Sequence, residues 1–588
     1  MKLLDEWYIK MIRWRRNHID RQTFIILLAI GVGLLAGLAA VLLKTLITTV
    51  ADYVTIFPRY LLFLIPLVGI ILVSALKQYF FKEGSEYTGI GNLLQSISKH
   101  SAYIHPSLMY SRLITAGLTM GFGGSAGIES TIVVTGSSLG SNVSRFFRMQ
   151  NKYRTLMIAC GAAAGIAALF NAPIAGVIFA LEVVLPAFST TLFIPILIAS
   201  ASGALFAHVF LEGEFIFNVA EVADFQLVEL PFIIVLGLTC GLVSLYFTYL
   251  SFSMGSWLNK IKFWLWRAII GGVLLGLVLS VLPLFYGEGY LSINQMLNGE
   301  TKSLLLGTPW DTSIDNSWKW MLFFAGLVIL KPIASNLTIL SGGDGGNFAP
   351  SFITGGYLGY LFYLLASNLF PEITLSPVNY ILIGMAGVLS GVMHAPLMAI
   401  FIIAEVSGSY ALFIPLMIIS ALSYFIKYHY EKVPIFLAGR GQYSLAQFHH
   451  ESLPLNQMRV SELVETEFEH IPVESTLKEL LPKIAKSKRN IFPVLTKEQE
   501  LAGIVLLDDI RGIMFDNAKQ ETPIIDIMHN PPAMIEYTEN MSDVMRKFDE
   551  TEAWNLPVSD QGIYKGFLSK SRIFNAYRRE LSESRLLE

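Results

Sequence analysis

The stretch "FNAPIAGVIFALEV" fills residues 170–183, and "MHAPLMAIFIIAEV" fills 393–406. Ala-Pro and Glu-Val fall in register, so Asn171 matches His394, Pro173 matches Pro396 and Glu182 matches Glu405. A glycine cluster precedes each copy. "GGSAGIE" (123–129) aligns with "GGDGGNF" (342–348), which pairs Gly127 with Gly346 and Glu129 with Phe348. Two landmarks repeated in the same order imply an internal duplication. Short apolar segments interrupted by Gly and Pro at corresponding places point to broken helices of the kind that build transporter sites.

Composition sets the surroundings. Of 588 residues, 53% are hydrophobic and only 15% charged, with mean hydropathy +0.55. Soluble domains carry roughly 25% charged residues, so the chain reads as a polytopic membrane protein. Uncharged runs at 24–43, 60–76 and 268–287 are long enough to cross a bilayer. The N-terminus "MKLLDEWYIKMIRWRRNHIDR" has no cleavable signal pattern. Its basic residues place this end, and with it the C-terminus, in the cytoplasm, in a prokaryotic inner or plasma membrane. Residues 1–22 read as an amphipathic cytosolic segment. Cys160 and Cys240 sit in apolar stretches and imply neither a disulfide framework nor a metal site.

Apolar character stops near Tyr430. The expected organisation is a membrane domain over 23–438, with halves at about 23–215 and 228–438, then a linker at 439–457. A cytosolic tail follows, with repeats over 458–520 and 521–588. In the tail "NIFPVL…AGIVLLDDI" (490–510) parallels "WNLPVS…KGFLSKSRI" (554–573), matching Pro493 with Pro557 and Gly503 with Gly566. Each unit reads strand, helix, strand, tight turn, strand, helix.

The glycine clusters carry the chemistry. Irregular backbone at membrane depth is tolerated where it lines a polar cavity or is buried in protein. A helix starting there presents free N–H groups and about half a positive charge, so several such ends form an anion site that still releases its ion. The plain alternative is that the glycines only let helices pack closely. Glu129 costs about 2.5 kcal/mol or more if charged at the bilayer centre. At a helix start it competes with an anion for the N–H groups, and protonation vacates that place. The competing reading is a simple N-cap.

These residues resemble the CLC family of chloride channels and chloride/proton antiporters, over nearly the whole chain. "GIEST" (127–131) resembles the G-x-E-G-P motif with its gating glutamate, and "GGNFAP" (345–350) resembles G-x-F-x-P. "YTGIG" (87–91) stands where G-S-G-I-P is expected. The resemblance implies an all-α membrane domain of two inverted repeats of broken, tilted helices, assembled as a homodimer with one anion pathway per subunit. It implies Glu129 as gate and Thr88, Gly89, Ile128, Ser130, Asn347, Phe348 and Phe436 as the anion-binding set, with Tyr430 as an alternative to Phe436 for the pathway aromatic. Glu182 and Glu405 read as a structural pair, His394 as a helix-start polar group, and Asp344 equally as a loop-turn residue or as a charge that perturbs the local potential. Val183 stands where antiporters of the family often carry a proton-transferring glutamate.

The tail resembles a pair of cystathionine-β-synthase (CBS) domains, an α/β module. The resemblance implies an adenine nucleotide as a ligand, with Asp509, Ser569 and Arg572 as its contacts, although neither repeat keeps the full pattern. A purely structural dimerisation module is the alternative. No cofactor is required and no nucleic acid is implied. The functional expectation is gated anion transport, not enzymatic chemistry: passive conduction because Val183 replaces the acid, with chloride/proton antiport or, further off, fluoride/proton antiport as the alternatives. An intramembrane metalloprotease needs H-E-x-x-H on a span, and the sequence has none.

Overall fold

The computed structural model describes residues 18–56, 63–81, 89–99, 102–185, 190–211, 222–310, 316–437, 458–487 and 489–585, with Arg15, Phe217 and Val219. Thr88, the linker 439–457 and most of the amphipathic segment 1–22 lie outside these residues. The chain divides into two units, Met1–Phe448 and His449–Glu588.

The first unit repeats a series of eight helices. The first series comprises α1 (Arg21–Thr55), α2 (Ile65–Tyr79), α3 (Ile90–Lys99), α4 (Ser111–Gly121), α5 (Glu129–Phe146), α6 (Asn151–Phe170), α7 (Pro173–Phe179, continued by a π turn Ala180–Val184) and α8 (Thr190–Phe210). The second comprises α9 (Leu230–Leu258), α10 (Trp264–Val281), α11 (Tyr290–Leu297), α12 (Ser317–Leu340), α13 (Phe348–Leu369), α14 (Pro377–Met393), α15 (Pro396–Ser407) and α16 (Phe413–Tyr430). Among the described residues, seven helices are long and apolar enough to cross a membrane.

Helix ends follow local chemistry. The Asp20 carboxylate accepts from the amides of Gln22 and Thr23 at 3.0 and 3.1 Å, so α1 starts at Arg21, ahead of the expected boundary. The run expected over 268–287 ends as a helix at Val281, because Pro283 opens a separate 3-10 turn and cannot continue the α ladder. Asn171 and His394 take matching left-handed conformations, φ 52° and 54°, closing α6 and α14. His394 is therefore the cap of the helix before it, a place that suits a left-handed residue, and not the start of the next.

Glycines outside the two clusters also permit close packing, there between helices. A Cβ on Gly136 of α5 would collide with the Gly161 carbonyl of α6, and one on Gly355 of α13 with the Gly384 carbonyl of α14. These matching crossings bring backbones together as small residues do in membrane bundles. The clusters at 123–127 and 342–346 are loops leading into α5 and α13.

The second unit holds two copies of one small α/β unit. After α17 (Val460–Leu463), the first copy comprises β1 (Ile471–Pro472), α18 (Leu477–Lys486), β2 (Ile491–Leu495), β3 (Leu501–Leu506) and α19 (Leu507–Ile510). The second comprises β4 (Ile535–Glu536), α20 (Met541–Thr551), β5 (Asn555–Asp560), β6 (Ile563–Ser569) and α21 (Lys570–Arg585). Each sheet pairs its short strand parallel and its hairpin antiparallel. The registers agree: Val494 faces Gly503 and Val558 faces Gly566, and in both the ladder shifts at the next residue. The copies interlock, since Glu465 exchanges backbone bonds with Phe567 at 2.8 and 3.0 Å and Ile504 with His529 at 2.9 Å each way.

Candidate anion site

The two glycine loops meet. Gly127 N–H donates to the Gly346 carbonyl at 2.9 Å and Gly346 N–H to the Gly127 carbonyl at 2.8 Å. Each loop is also held by the other half. The Thr338 hydroxyl accepts from Ser125 N–H at 2.9 Å, and the Thr119 hydroxyl accepts from Asp344 N–H at 2.9 Å. Thr119 matches Thr338 and Ser125 matches Asp344 in the repeat, so the bonds are reciprocal. A third exchange involves the repeated acids. Glu182 accepts from the amides of Leu397 and Met398 at 3.2 and 2.8 Å, and Glu405 from those of Ile174 and Ala175 at 2.9 and 2.6 Å. Each carboxylate thus completes the N-terminus of a broken helix in the opposite half.

Paired loops bring the starts of α5 and α13 together. Glu129 is the first residue of α5 and is 1% exposed. Its carboxylate reaches across the repeat boundary. One oxygen accepts from Ala349 N–H, in the first turn of α13, at 3.3 Å, and the other from the Tyr290 hydroxyl at the start of α11. Phe170 and Phe217 pack edge-on against the Tyr290 ring at 6.3 and 5.1 Å, and Phe348 lies 5.8 Å from Phe170. An acid is thereby held by a helix N-terminus inside an aromatic enclosure. Such surroundings strengthen electrostatic contacts.

The remaining expected residues divide by location. Ile128 precedes α5 as its N-cap and Ser130 follows Glu129, both buried. Asn347 is the N-cap of α13, its side-chain oxygen accepting from the Ser335 hydroxyl at 2.8 Å, and Phe348 opens that helix. Gly89, with φ +90°, leads into α3. Phe436 lies in the turn Ile435–Leu437, against the membrane-domain core, whereas Tyr430 is 72% exposed at the end of α16. Val183 is buried in the π turn after α7.

Asp344 is more than a turn residue. It is buried and pairs with Arg112 at 2.9 Å, with Lys77 at 3.8 Å, and accepts from the Thr115 hydroxyl. Two further groups escaped the sequence reading, Tyr290 and Lys331. Lys331 is 0% exposed and donates to Ser125 Oγ at 2.9 Å and to the Glu288 carbonyl at 3.1 Å. The missed signal was a third repeat landmark: "TGI" (88–90) matches "EGY" (288–290), and Gly89 and Gly289 both take positive φ before a short helix.

In the tail, Asp509 accepts from Leu506 N–H at 3.2 Å and lies 3.4 Å from His529. Ser569 donates to Glu465 at 2.7 Å and accepts from Arg572 N–H at 3.2 Å. Both side chains open a helix, α19 and α21 respectively, and the Arg572 side chain is exposed.

Residues 69–428 match the family model described as voltage gated chloride channel, and residues 460–516 and 524–579 each match a CBS domain. The chain belongs to the voltage gated chloride channel family, the CLC proteins. It is an integral membrane protein of anion transport with a CBS-domain tail, in a family of transporters and channels that are not enzymes. It is 27% identical to chloride channel protein CLC-e of Arabidopsis thaliana over 78% of this chain and 69% of that protein. It is 30% identical to the H(+)/Cl(-) exchange transporter ClcA of Vibrio cholerae over 51% of this chain and 62% of that protein. The fold is shared with the crystal structure of a slow cyanobacterial Cl-/H+ antiporter, 22% identical, with TM-score 0.60, covering 71% of this chain and 97% of that one.

Proposed function

We propose that this CLC protein moves chloride through a pathway in which Glu129 takes the anion's place at the start of α13 until a proton releases it. The observation that carries this reading is the Glu129 carboxylate accepting from Ala349 N–H, two residues past Asn347 in the "GGNFAP" segment. A chloride seated there accepts the same helix-end N–H groups. Protonation removes the charge that holds Glu129 and leaves those donors to the anion. Asn347, Phe348, Gly89, Ser130 and Phe436 complete the pathway in this reading. The subunits pair as a homodimer, and both termini face the cytoplasm.

Two transport modes use the same seat. Passive conduction is supported by Val183, a buried side chain with no proton to give at the position where an internal acid is expected. Proton-coupled exchange is supported by the likeness to an H(+)/Cl(-) exchange transporter at 30% identity. Reversal potentials in liposomes under combined chloride and pH gradients separate them. A potential that follows chloride alone establishes conduction. A fixed offset with pH establishes exchange and rejects the Val183 argument. Absence of chloride flux in either arrangement rejects the function itself.

A further inference from the structure

The end of α2, Arg112 of α4, the start of α10 and the loop into α13 enclose a cavity of about 440 Å³. Its charged lining is Lys77, Arg112, Arg267 and Asp344. Asp344 is engaged by Arg112 at 2.9 Å and Lys77 at 3.8 Å, and Lys77 also donates to the carbonyls of Gly342 and Gly343 at 3.3 and 3.0 Å. Three cations facing one carboxylate leave two positive charges in excess among the described residues. The cations also oppose one another, since Lys77, Arg112 and Arg267 line the same cavity. The Arg112 side chain is only 4% exposed, and the Nε–H groups of Arg112 and Arg267 are buried without an acceptor among the described residues.

Buried donors and unbalanced charge call for an anion. A halide carries one charge and has no directed acceptor array. A tetrahedral oxyanion matches guanidinium forks at several oxygens and carries up to two charges. The aromatic side chains of Tyr79, Phe80, Phe263 and Trp266 around this end of the bundle are exposed, a composition typical of the membrane–water interface, where both lipid phosphates and aqueous ions reach the protein.

We propose that this cavity is a phosphate-binding site, taking a phosphate dianion that is either the free ion or the headgroup of an anionic lipid. Lys77, Arg112 and Arg267 are its donors. Occupancy ties α2, α4 and α10 to the Gly342–Gly345 loop that leads into Asn347 and Phe348.

The test is titration of the full-length protein with inorganic phosphate at fixed ionic strength, read by calorimetry and thermal denaturation. The expected result is saturable binding and a raised Tm in the wild type. Arg267→Gln and, separately, Lys77→Gln each weaken the apparent affinity about tenfold, the scale of one lost charge-assisted bond, while Arg267→Lys keeps part of it. Arg112 is left in place because its loss strands Asp344. The titration is repeated in nanodiscs of phosphatidylcholine with and without phosphatidic acid. Loss of the phosphate response only when phosphatidic acid is present assigns the site to a lipid headgroup, and an unchanged response assigns it to the free ion. Equal phosphate responses in the wild type and both Gln variants overturn the proposal. So does a wild type with no phosphate response whose Tm phosphatidic acid leaves unchanged.

Discussion

Arg112 and Lys331 occupy matching positions in the two halves, and Arg112 meets a carboxylate where Lys331 meets a hydroxyl. Both cations are buried and both reach into the opposite half's glycine loop, Arg112 to Asp344 at 2.9 Å and Lys331 to Ser125 Oγ at 2.9 Å. The duplication kept the cation and changed its partner. On one side of the duplication the cation faces a carboxylate; on the other it faces a hydroxyl.

Asp344→Asn therefore leaves a buried guanidinium uncompensated. Removing one partner of a buried pair costs about 3–5 kcal/mol. The expected outcome is a marked fall in Tm and in the yield of folded protein, with partial recovery in the double variant Arg112→Met/Asp344→Asn. An Asp344→Asn variant as stable as the wild type rejects the structural role of the pair.

Glu129→Gln removes the charge that competes with the anion but keeps the shape. Chloride flux in liposomes is expected to persist and to lose its response to external pH. A variant whose flux still rises on acidification shows that another group is the gate.

Tyr290→Phe deletes one of the donors that hold the Glu129 carboxylate. A hydrogen bond to a charged group contributes about 1.5–3 kcal/mol, and about 1.4 kcal/mol is one pH unit. The carboxylate form loses that support, so protonation vacates the seat more readily. The pH of half-maximal flux is expected to rise by about one unit. A fall, or no change, places the Tyr290 hydroxyl outside the gate.

Glu182→Gln and Glu405→Gln each weaken the bonds that close a helix end in the opposite half. Each is expected to lower stability by about 2 kcal/mol, the scale of a buried charge-assisted bond, while leaving the pH dependence of flux unchanged. A shift of the flux curve in Glu182→Gln alone gives that acid a transport role in addition to its structural one.

Much of this architecture was legible in the residue pattern. The duplication, the meeting of the glycine clusters and the start of a helix at Glu129 followed from spacing and from what glycine allows at membrane depth. The pairing of Glu182 with Glu405 was legible as a repeat, but the exchange of helix ends was not, because no sequence rule says which N-terminus a carboxylate reaches. Tyr290 went unread because "EGY" looks like an ordinary turn until Gly289 is seen to match Gly89. Asp344 looked like a loop residue because its partners, Lys77 and Arg112, are distant in the chain. Ends of apolar runs were misplaced where a local event decided them, as Asp20 and Pro283 did.

The exchanged helix ends of Glu182 and Glu405 bear on how the chain is made. During synthesis the first half emerges with the amides of Ile174 and Ala175 open and the Glu182 carboxylate without its receiving helix. Relief comes only once residues 396–405 have been threaded in. Each half therefore lacks bonds that only the other supplies. Two separately expressed halves are expected to be more stable together than apart, because each closes a helix end of the other.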